Sequence, residues 1–377
     1  MLEHFPSETE VRSWALNRAE ALSRLSDQEF SKVFVMDSLG HLSQVAEPLK
    51  QAGFEVVGEL RSEFTKDNFK SKNPFKNVLI KDVLGRPEIP LLMLLPSRRQ
   101  ADFFRALQVK VISYCQLQEL RPSLPTIHPK ISPEEILVNL EAQRLVYEKL
   151  KDPLSKDTFL RLLKYATDWD DKLLPDPERR TYFDSGIVKT ADIQRFMDCG
   201  AFTGTTLQSL RDFSCGKFGA YWGFEPDPIN FSKLSDVCNS LHGSNATEFV
   251  VPYNKAIGGR SGRVRFLSGL GHSSHVSGVG DIEVEMLRID DFFVYENPTM
   301  IKMDLEGCEP EALSGAEDTI QKHKPLLAIS AYHSVDDLWK LPTQILKMNP
   351  SYRIAFRHYS NSILDTICYA WSEKARH

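Results

Sequence analysis

The stretch Phe196-Met197-Asp198-Cys199-Gly200-Ala201-Phe202-Thr203-Gly204-Thr205-Thr206-Leu207 constrains the fold more than any other part of the chain. Apolar residues lead into an acid and a glycine. A second glycine follows, and a helix-like run begins at Thr205. That order predicts a strand, a tight turn and a helix start, the first step of a βαβ unit. Glycine lets the backbone turn sharply and approach a ligand, because it carries no Cβ. A helix N-terminus beyond it offers unpaired N–H groups to an anionic ligand group. The spacing is Asp198-x-Gly200-x-x-x-Gly204, whereas a dinucleotide site is expected to read G-x-G-x-x-G.

Residues 221–226 predict the next strand, ending on Glu225 before Pro226. An acid there, on the order of 20 residues past the glycine turn, can accept both hydroxyls of a ribose. A strand-end acid in solvent is the plainer alternative. Residues 247–251 predict a third strand. The loop after it, with Asn254 and Ala256, would lie against a base. Residues 258–267 read as a turn and strand, or a hairpin. The Gly-, Ser- and His-rich run 269–280 is either a lid or a surface loop. Residues 300–309, Met-Ile-Lys-Met-Asp-Leu-Glu-Gly-Cys-Glu, form a second organising stretch. Its apolar lead predicts a central strand, with Asp304 and Glu306 at the carboxyl end, where ligands sit in open α/β sheets. A D-x-E pair can hold a divalent cation. No third ligand is evident nearby, so ligand positioning ranks above metal binding and no metal is assigned. A helix over 311–322 and a fifth strand over 325–330 follow, the latter running into Ala331-Tyr332-His333. A helix over 336–348 and two last strands, 352–358 and 363–371, close the sheet as an antiparallel hairpin.

A chain of 377 residues is expected to form two domains. The first 120 or so residues alternate helix 8–30, strand 33–36, helix 41–52, strand 54–58 and the apolar runs 78–80, 91–95 and 109–112. Pro48 places a local irregularity in the second helix, and Gly53 reads as its C-cap. This is a smaller, Rossmann-like α/β domain over 1–125. Its first turn keeps one glycine, Gly40, so it reads as a scaffold or substrate-positioning domain. Arg98 and Arg99 either meet an anionic group or start a solvated helix. Prolines 122, 125, 129 and 133 mark a linker. Ser132-Pro133-Glu134-Glu135 is a helix start with a capping box, predicting a helix to about residue 150. A second helix, 155–169, completes a connector over 126–178. The larger domain is 179–377. The net charge of −5 carries no basic stripe, which argues against a nucleic-acid partner. The longest apolar run, 89–95, is broken by Pro90 and far too short to span a bilayer. The N-terminal residues lack a signal pattern. Six cysteines without C-x-x-C spacing indicate neither a zinc site nor a disulfide framework. A reduced, cytoplasmic setting fits.

With these residues in place, the larger domain resembles the FkbM family of S-adenosylmethionine (SAM) dependent methyltransferases. The resemblance rests on residues 198–204, Phe224-Glu225-Pro226, the K-x-D-x-E-G-x-E run from Lys302 to Glu309, and Tyr332-His333. Asp336-Asp337-Leu338-Trp339 and Arg357-His358-Tyr359 add to it. It spans residues 180–371 and implies a seven-stranded methyltransferase sheet. It implies O-methylation of a hydroxyl on a sugar or secondary metabolite, with SAM as cofactor. Carried across, Asp198, Gly200 and Gly204, with Ala201 in the same turn, surround the methionine part of SAM. Glu225 holds the ribose, Asn254 and Ala256 fall near the adenine, and Asp304 sits beside the reacting centre. A hydroxyl acceptor must lose its proton as it attacks. His333, at a strand end, is the first candidate base. Asp304 and His358 are reserves, and His275 is a further one on the 269–280 loop. The partner is then a small hydroxylated molecule, carbohydrates included, and a homo-oligomer is left open. Two rival classes stand beside this reading. An NAD-dependent oxidoreductase is disfavoured by the missing glycine fingerprint. A non-catalytic nucleoside-binding scaffold is disfavoured by the intact acids.

Overall fold

The computed structural model describes residues 4–26, 30–37, 41–60, 76–95, 97–127, 132–184, 186–241, 249–269, 274–292 and 297–373. The chain divides into two compact units. The first comprises residues 1–141, 157–176 and 360–364, and the second 142–156, 177–359 and 365–377. No helix among the described residues is long and apolar enough to cross a membrane.

The first unit alternates helices and strands. In chain order these are α1 (Glu8–Ser26), β1 (Lys32–Met36), α2 (Leu42–Gln51), β2 (Glu55–Leu60), β3 (Asn77–Val78), α3 (Ile80–Leu84), β4 (Leu91–Met93), α4 (Arg98–Ala106), β5 (Val111–Ser113), α5 (Tyr114–Leu120) and α6 (Pro133–Val138). The sheet order is β3-β2-β1-β4-β5, parallel throughout. Successive strand residues point to opposite faces. Accordingly Val33 and Val35 enter one buried cluster, and Phe34 and Met36 the other. Burial on both faces explains why β1 reads as an unbroken apolar run. Pro48 lies inside α2. The expected turn glycine, Gly40, lies outside the described residues.

The helix expected over 132–150 is two helices, α6 and α7 (Leu140–Lys149). Its capping box is present: Ser132 Oγ accepts from Glu135 N at 3.1 Å, and the Glu135 carboxylate accepts from Ser132 N at 2.8 Å. The break falls at Asn139, whose side-chain amide donates to the Glu135 carbonyl at 2.7 Å. A side chain that bonds back to the i−4 carbonyl competes with the helix ladder. The next helix, α8 (Pro153–Asp168), begins in the second unit and continues in the first.

The second unit continues with β6 (Arg195–Cys199), α9 (Thr205–Ser214), β7 (Ala220–Phe224), α10 (Pro228–Leu241), β8 (Phe249–Tyr253), β9 (Ala256–Ile257), β10 (Gly262–Leu267), β11 (His275–Val276), β12 (Ile282–Leu287), α11 (Ile289–Phe292), β13 (Met300–Met303), α12 (Glu309–Ser314), α13 (Glu317–His323), β14 (Leu326–Ser330), α14 (Asp337–Met348), β15 (Arg353–His358) and β16 (Thr366–Trp371). Seven strands form one sheet in the order β15-β16-β14-β13-β6-β7-β8. The five from β14 to β8 are parallel, and β16 pairs antiparallel with both β14 and β15. The closing antiparallel hairpin is therefore present. The helix expected over 311–322 breaks at Gly315, where an added Cβ would meet the Gly258 carbonyl oxygen at 2.2 Å.

The stretch 258–267, expected as a turn and strand or a hairpin, holds the one strand β10, which pairs outside the stretch in a second sheet, β11-β10-β12-β9. Strands β10 and β12 pair from Gly262 with Met286 to Phe266 with Ile282. Val264, Phe266, Val284 and Met286 fill its buried side. Arg263 and Glu283 meet at 2.9 Å on the exposed side. This is the period-2 alternation of a half-buried sheet.

Candidate functional site

Strands β6 and β13 are neighbours, yet the chain leaves them toward opposite edges of the sheet. Such a reversal opens a crevice beyond the carboxyl ends of the strands. A cleft lies there. Gly200 and Phe202 line it from the turn after β6, and Phe224, Glu225 and Pro226 from the end of β7. Asn230, Ala256, Ile257, Phe266 and residues 274–276 form its far wall. Asp304, Leu305, Glu306 and Cys308 enter from the turn after β13. The lining carries three carboxylates and, among the described residues, no lysine or arginine.

The floor is fixed by close packing of two turns. Gly200 has φ +79°, and a Cβ on it would stand 2.0 Å from the Asp304 carbonyl oxygen. Glycine is required here both for the left-handed backbone and for the approach of the β13 turn. Asp198 lies beneath this floor, not in the lining. It is fully buried, with Lys302 Nζ 3.0 Å from Oδ1 and the Tyr221 hydroxyl donating to Oδ2 at 2.8 Å. Lys302 also donates to the Gly200 carbonyl at 2.5 Å. Burial opposes the charge on Lys302, but Asp198 and Asp304 outweigh it and hold the ammonium above its ordinary range. Removing either partner would leave a buried charge uncompensated.

Glu225 faces the cleft with both oxygens engaged. Oε2 accepts from Phe202 N and Oε1 from Asp227 N, each at 2.9 Å. Burial pushes its carboxyl up to about 7, against the pull of those two donors. Asp227 in turn caps α10 through Ile229 N and Asn230 N. Its other oxygen accepts from Gly269 N at 2.7 Å and Ser274 Oγ at 2.9 Å. One carboxylate thus ties the β7 end to residues that precede and form the far wall.

Asp304 accepts from two tyrosines: Tyr332 at 3.0 Å on Oδ1 and Tyr182 at 2.8 Å on Oδ2. Burial would raise its carboxyl, but Lys302, His333 and the Tyr182 hydroxyl hold it below the ordinary value. His333 does not line the cleft. Its Nδ1 lies 3.0 Å from Glu309 Oε1, and its Nε2 3.6 Å from Asp304 Oδ1 and 3.8 Å from Glu306 Oε2. Burial works against a charged imidazole, yet Glu306, Glu309 and Asp304 together raise it well above its usual value. Phe202 and Glu306, both lining residues, hold left-handed backbones at φ +50° and +53°. Non-glycine residues in that region cost on the order of 1–3 kcal/mol and cluster at functional sites.

Of the residues singled out in the sequence, Gly200, Glu225, Ala256, His275 and Asp304 come together around the cleft. Ala201 is buried, and Gly204 packs against Val237 at the start of α9. Asn254 donates its side-chain amide to the carbonyls of Glu225 and Pro226, at 2.9 and 3.0 Å, bracing the turn after β7. His358 is buried against Thr366 Oγ1 at 2.8 Å. His272 lies outside the described residues. Sequence reasoning missed the apolar wall of Ile257, Phe266 and Val276, because it belongs to the second sheet. The alternation of Ile282-Glu283-Val284-Glu285-Met286 was the signal that could have revealed that sheet. It also gave Lys302 no role.

A reversed parallel sheet with a closing antiparallel hairpin, open on an acidic cleft, gives this domain a methyltransferase-type α/β fold. Within it, residues 198–353 match the family model described as Methyltransferase FkbM domain. A crystal structure of Methyltransferase FkbM from Methylobacillus flagellatus KT has the same fold. It is 23% identical, with 97% of this chain and 100% of that chain covered, at TM-score 0.72. Two more distant structures also match. Fibrillarin from Aeropyrum pernix, solved with S-adenosyl-L-methionine, is 16% identical over 47% of this chain and 66% of its own, at TM-score 0.30. A putative O-methyltransferase from Klebsiella pneumoniae is 10% identical over 62% and 96%, at TM-score 0.29. No curated protein matches the chain in sequence.

Proposed function

We propose that this protein transfers the methyl group of SAM to a hydroxyl of a small acceptor, a sugar or secondary metabolite. The observation that carries the reading is the charge of the cleft: Glu225, Asp304 and Glu306 line it without a lysine or arginine among the described residues. That field favours a sulfonium cation and repels the pyrophosphate of a dinucleotide. The apolar wall of Ile257, Phe266 and Val276 suits a flat base, so the donor set fits an adenosyl sulfonium.

In this reading Glu225 accepts the ribose hydroxyls, and Ala256 and Ile257 flank the adenine. Gly200 and Phe202 border the methionine part, while Asp198 acts from below by fixing Lys302 and the floor. SAM supplies a methyl carbon already bonded to a good leaving group, so the residues mainly align the acceptor oxygen with the carbon–sulfur bond. As the new C–O bond forms, the old C–S bond breaks, its electron pair stays on sulfur, and the hydroxyl proton leaves. We assign that proton to His275, the histidine that lines the cleft, rather than to His333, which sits behind Asp304.

Calorimetry of the full chain with SAM and with NAD separates the readings. SAM is expected to bind saturably, and NAD not to bind. Glu225→Ala should weaken SAM at least tenfold, whereas His275→Ala should spare it and slow methyl transfer to whichever sugar a labelled-SAM screen identifies. NAD binding without SAM binding would overturn the proposal, and binding of neither would leave a scaffold.

A further inference from the structure

Asp227 follows Glu225 by two residues and is buried behind the cleft, not part of its lining. It nevertheless bonds to three residues that do line it. Its N–H donates to Glu225 Oε1 at 2.9 Å. Its Oδ1 accepts from Asn230 N at 3.1 Å and from Ile229 N at 2.9 Å. Its Oδ2 accepts from Ser274 Oγ at 2.9 Å and from Gly269 N at 2.7 Å. Burial opposes the charge, yet these four donors hold the carboxyl below its ordinary value. The first oxygen is a helix cap: α10 begins at Pro228, and the bonds go to its next two residues. Asparagine or serine would cap as well as aspartate. The second oxygen has no part in the helix. It meets donors 42 and 47 positions along the chain, and only a carboxylate presents acceptors to both sides. Ser274 leads into β11, whose two residues pair with Phe266 and Leu267 of β10. A strand this short is weakly held by its ladder alone.

We propose that Asp227 is a positioning residue for the methyl donor: through Oδ2 it holds the Ser274–Val276 wall opposite the Glu225 carboxylate, so that the nucleoside is clasped from both sides. The proposal rests on the methyl-transfer reading for the identity of that ligand. A bound nucleoside leaves only when the wall and the acid part. Loss of the tie therefore speeds release more than it slows entry.

Asp227→Asn in the full chain separates the two duties. Its one acceptor oxygen stays with the two N–H groups of the cap, and its amide nitrogen turns to the wall. There Ser274 Oγ can rotate to accept, but Gly269 N cannot. Hydrogen exchange of the ligand-free variant should be faster than wild type at Gly269, His275 and Val276, and unchanged at Ile229 and Asn230. Stopped-flow binding should show SAM dissociating about tenfold faster, with association changed less than about threefold. Ser274→Ala removes one wall bond and should speed dissociation by less. The double variant should fall short of the sum of the two, as parts of one link do. Wild-type SAM dissociation in both single variants, or unchanged exchange at the wall, would overturn the proposal and leave Asp227 a helix cap. If Asp227→Asn does not fold, Ser274→Ala leaves the cap intact and decides by the same two measurements. A wild-type chain that binds no SAM would instead remove the methyl-transfer reading, and this role with it.

Discussion

Glu225 is pressed by effects of opposite sign. Burial favours the neutral acid, while Phe202 N and Asp227 N favour the carboxylate, and the balance lies at about 7 against an ordinary value of 4.5. Hydroxyls of a ribose donate, so they bind the ionised form. With a carboxyl near 7, the ionised fraction falls roughly tenfold between pH 8 and pH 6. SAM affinity should fall by about the same factor over that range, and Glu225→Gln should flatten the profile. A wild-type affinity that does not change across that range would take Glu225 out of the ribose site. Stability has its own sign. An acid raised in the folded state keeps a proton that the unfolded chain has lost, so this group lowers stability progressively from about pH 4.5 to 7 and evenly above. The same residue is thus a cost to the fold in the pH range where the proposed ribose contact needs its charge.

Elements were legible where their pattern is local. The β6 turn was readable because Gly200 and Gly204 both need positive φ, and β13 because its apolar run ends on acids. Partnerships between elements were not legible. Asp198 reads as a ligand group until Lys302, 104 positions later, is seen beside it in register on β13. His333 reads as a base until Glu306 and Glu309 close on it from another turn. Arg357 is a third case. In the sequence it counts only toward the family resemblance, yet its guanidinium is buried between Asp184 at 2.7 Å and Asp152 at 3.0 Å, with Ser155 Oγ accepting at 2.9 Å. It joins the α8 start and the approach to the sheet to one strand. Arg357→Ala leaves two carboxylates without their cation and should cost about 3–5 kcal/mol. Arg357→Lys should recover only part, since a single ammonium cannot serve both carboxylates with a guanidinium's geometry. Chemical denaturation followed by circular dichroism measures both. A loss under about 1 kcal/mol for the alanine variant would mean that the cluster contributes no more than an exposed ion pair.

The whole chain passes between its two units five times, so neither is a continuous segment. The connector expected over 126–178 is shared: residues 142–156 lie with the second unit, and 157–176 with the first. The assignment of 142–156 has a specific physical content. Leu150 bridges to Ile354 beside the sheet edge, Asp152 pairs with Arg357, and Ser155 Oγ both accepts from Phe356 N at 2.9 Å and donates to Phe356 O at 3.3 Å. Strand β15 is the edge of its sheet, and an edge strand presents unpaired backbone groups unless something covers them. Residues 150–155 satisfy Phe356 and neutralise its neighbour. Two fragments isolate this contribution, 142–377 and 157–377, because they differ only in the segment at issue. The longer should be more stable by about 3 kcal/mol or more, the loss expected when a buried cation and a backbone pair lose their partners together. The shorter should also aggregate sooner, with β15 uncovered. The cleft lies at the far side of the sheet order, between β6, β7 and β13, so SAM affinity per folded molecule should be equal in the two. Equal denaturation midpoints would show that residues 142–156 merely pass along the second unit. A difference in midpoint with equal SAM affinity would show that they complete its edge and leave its chemistry to the strands at the centre.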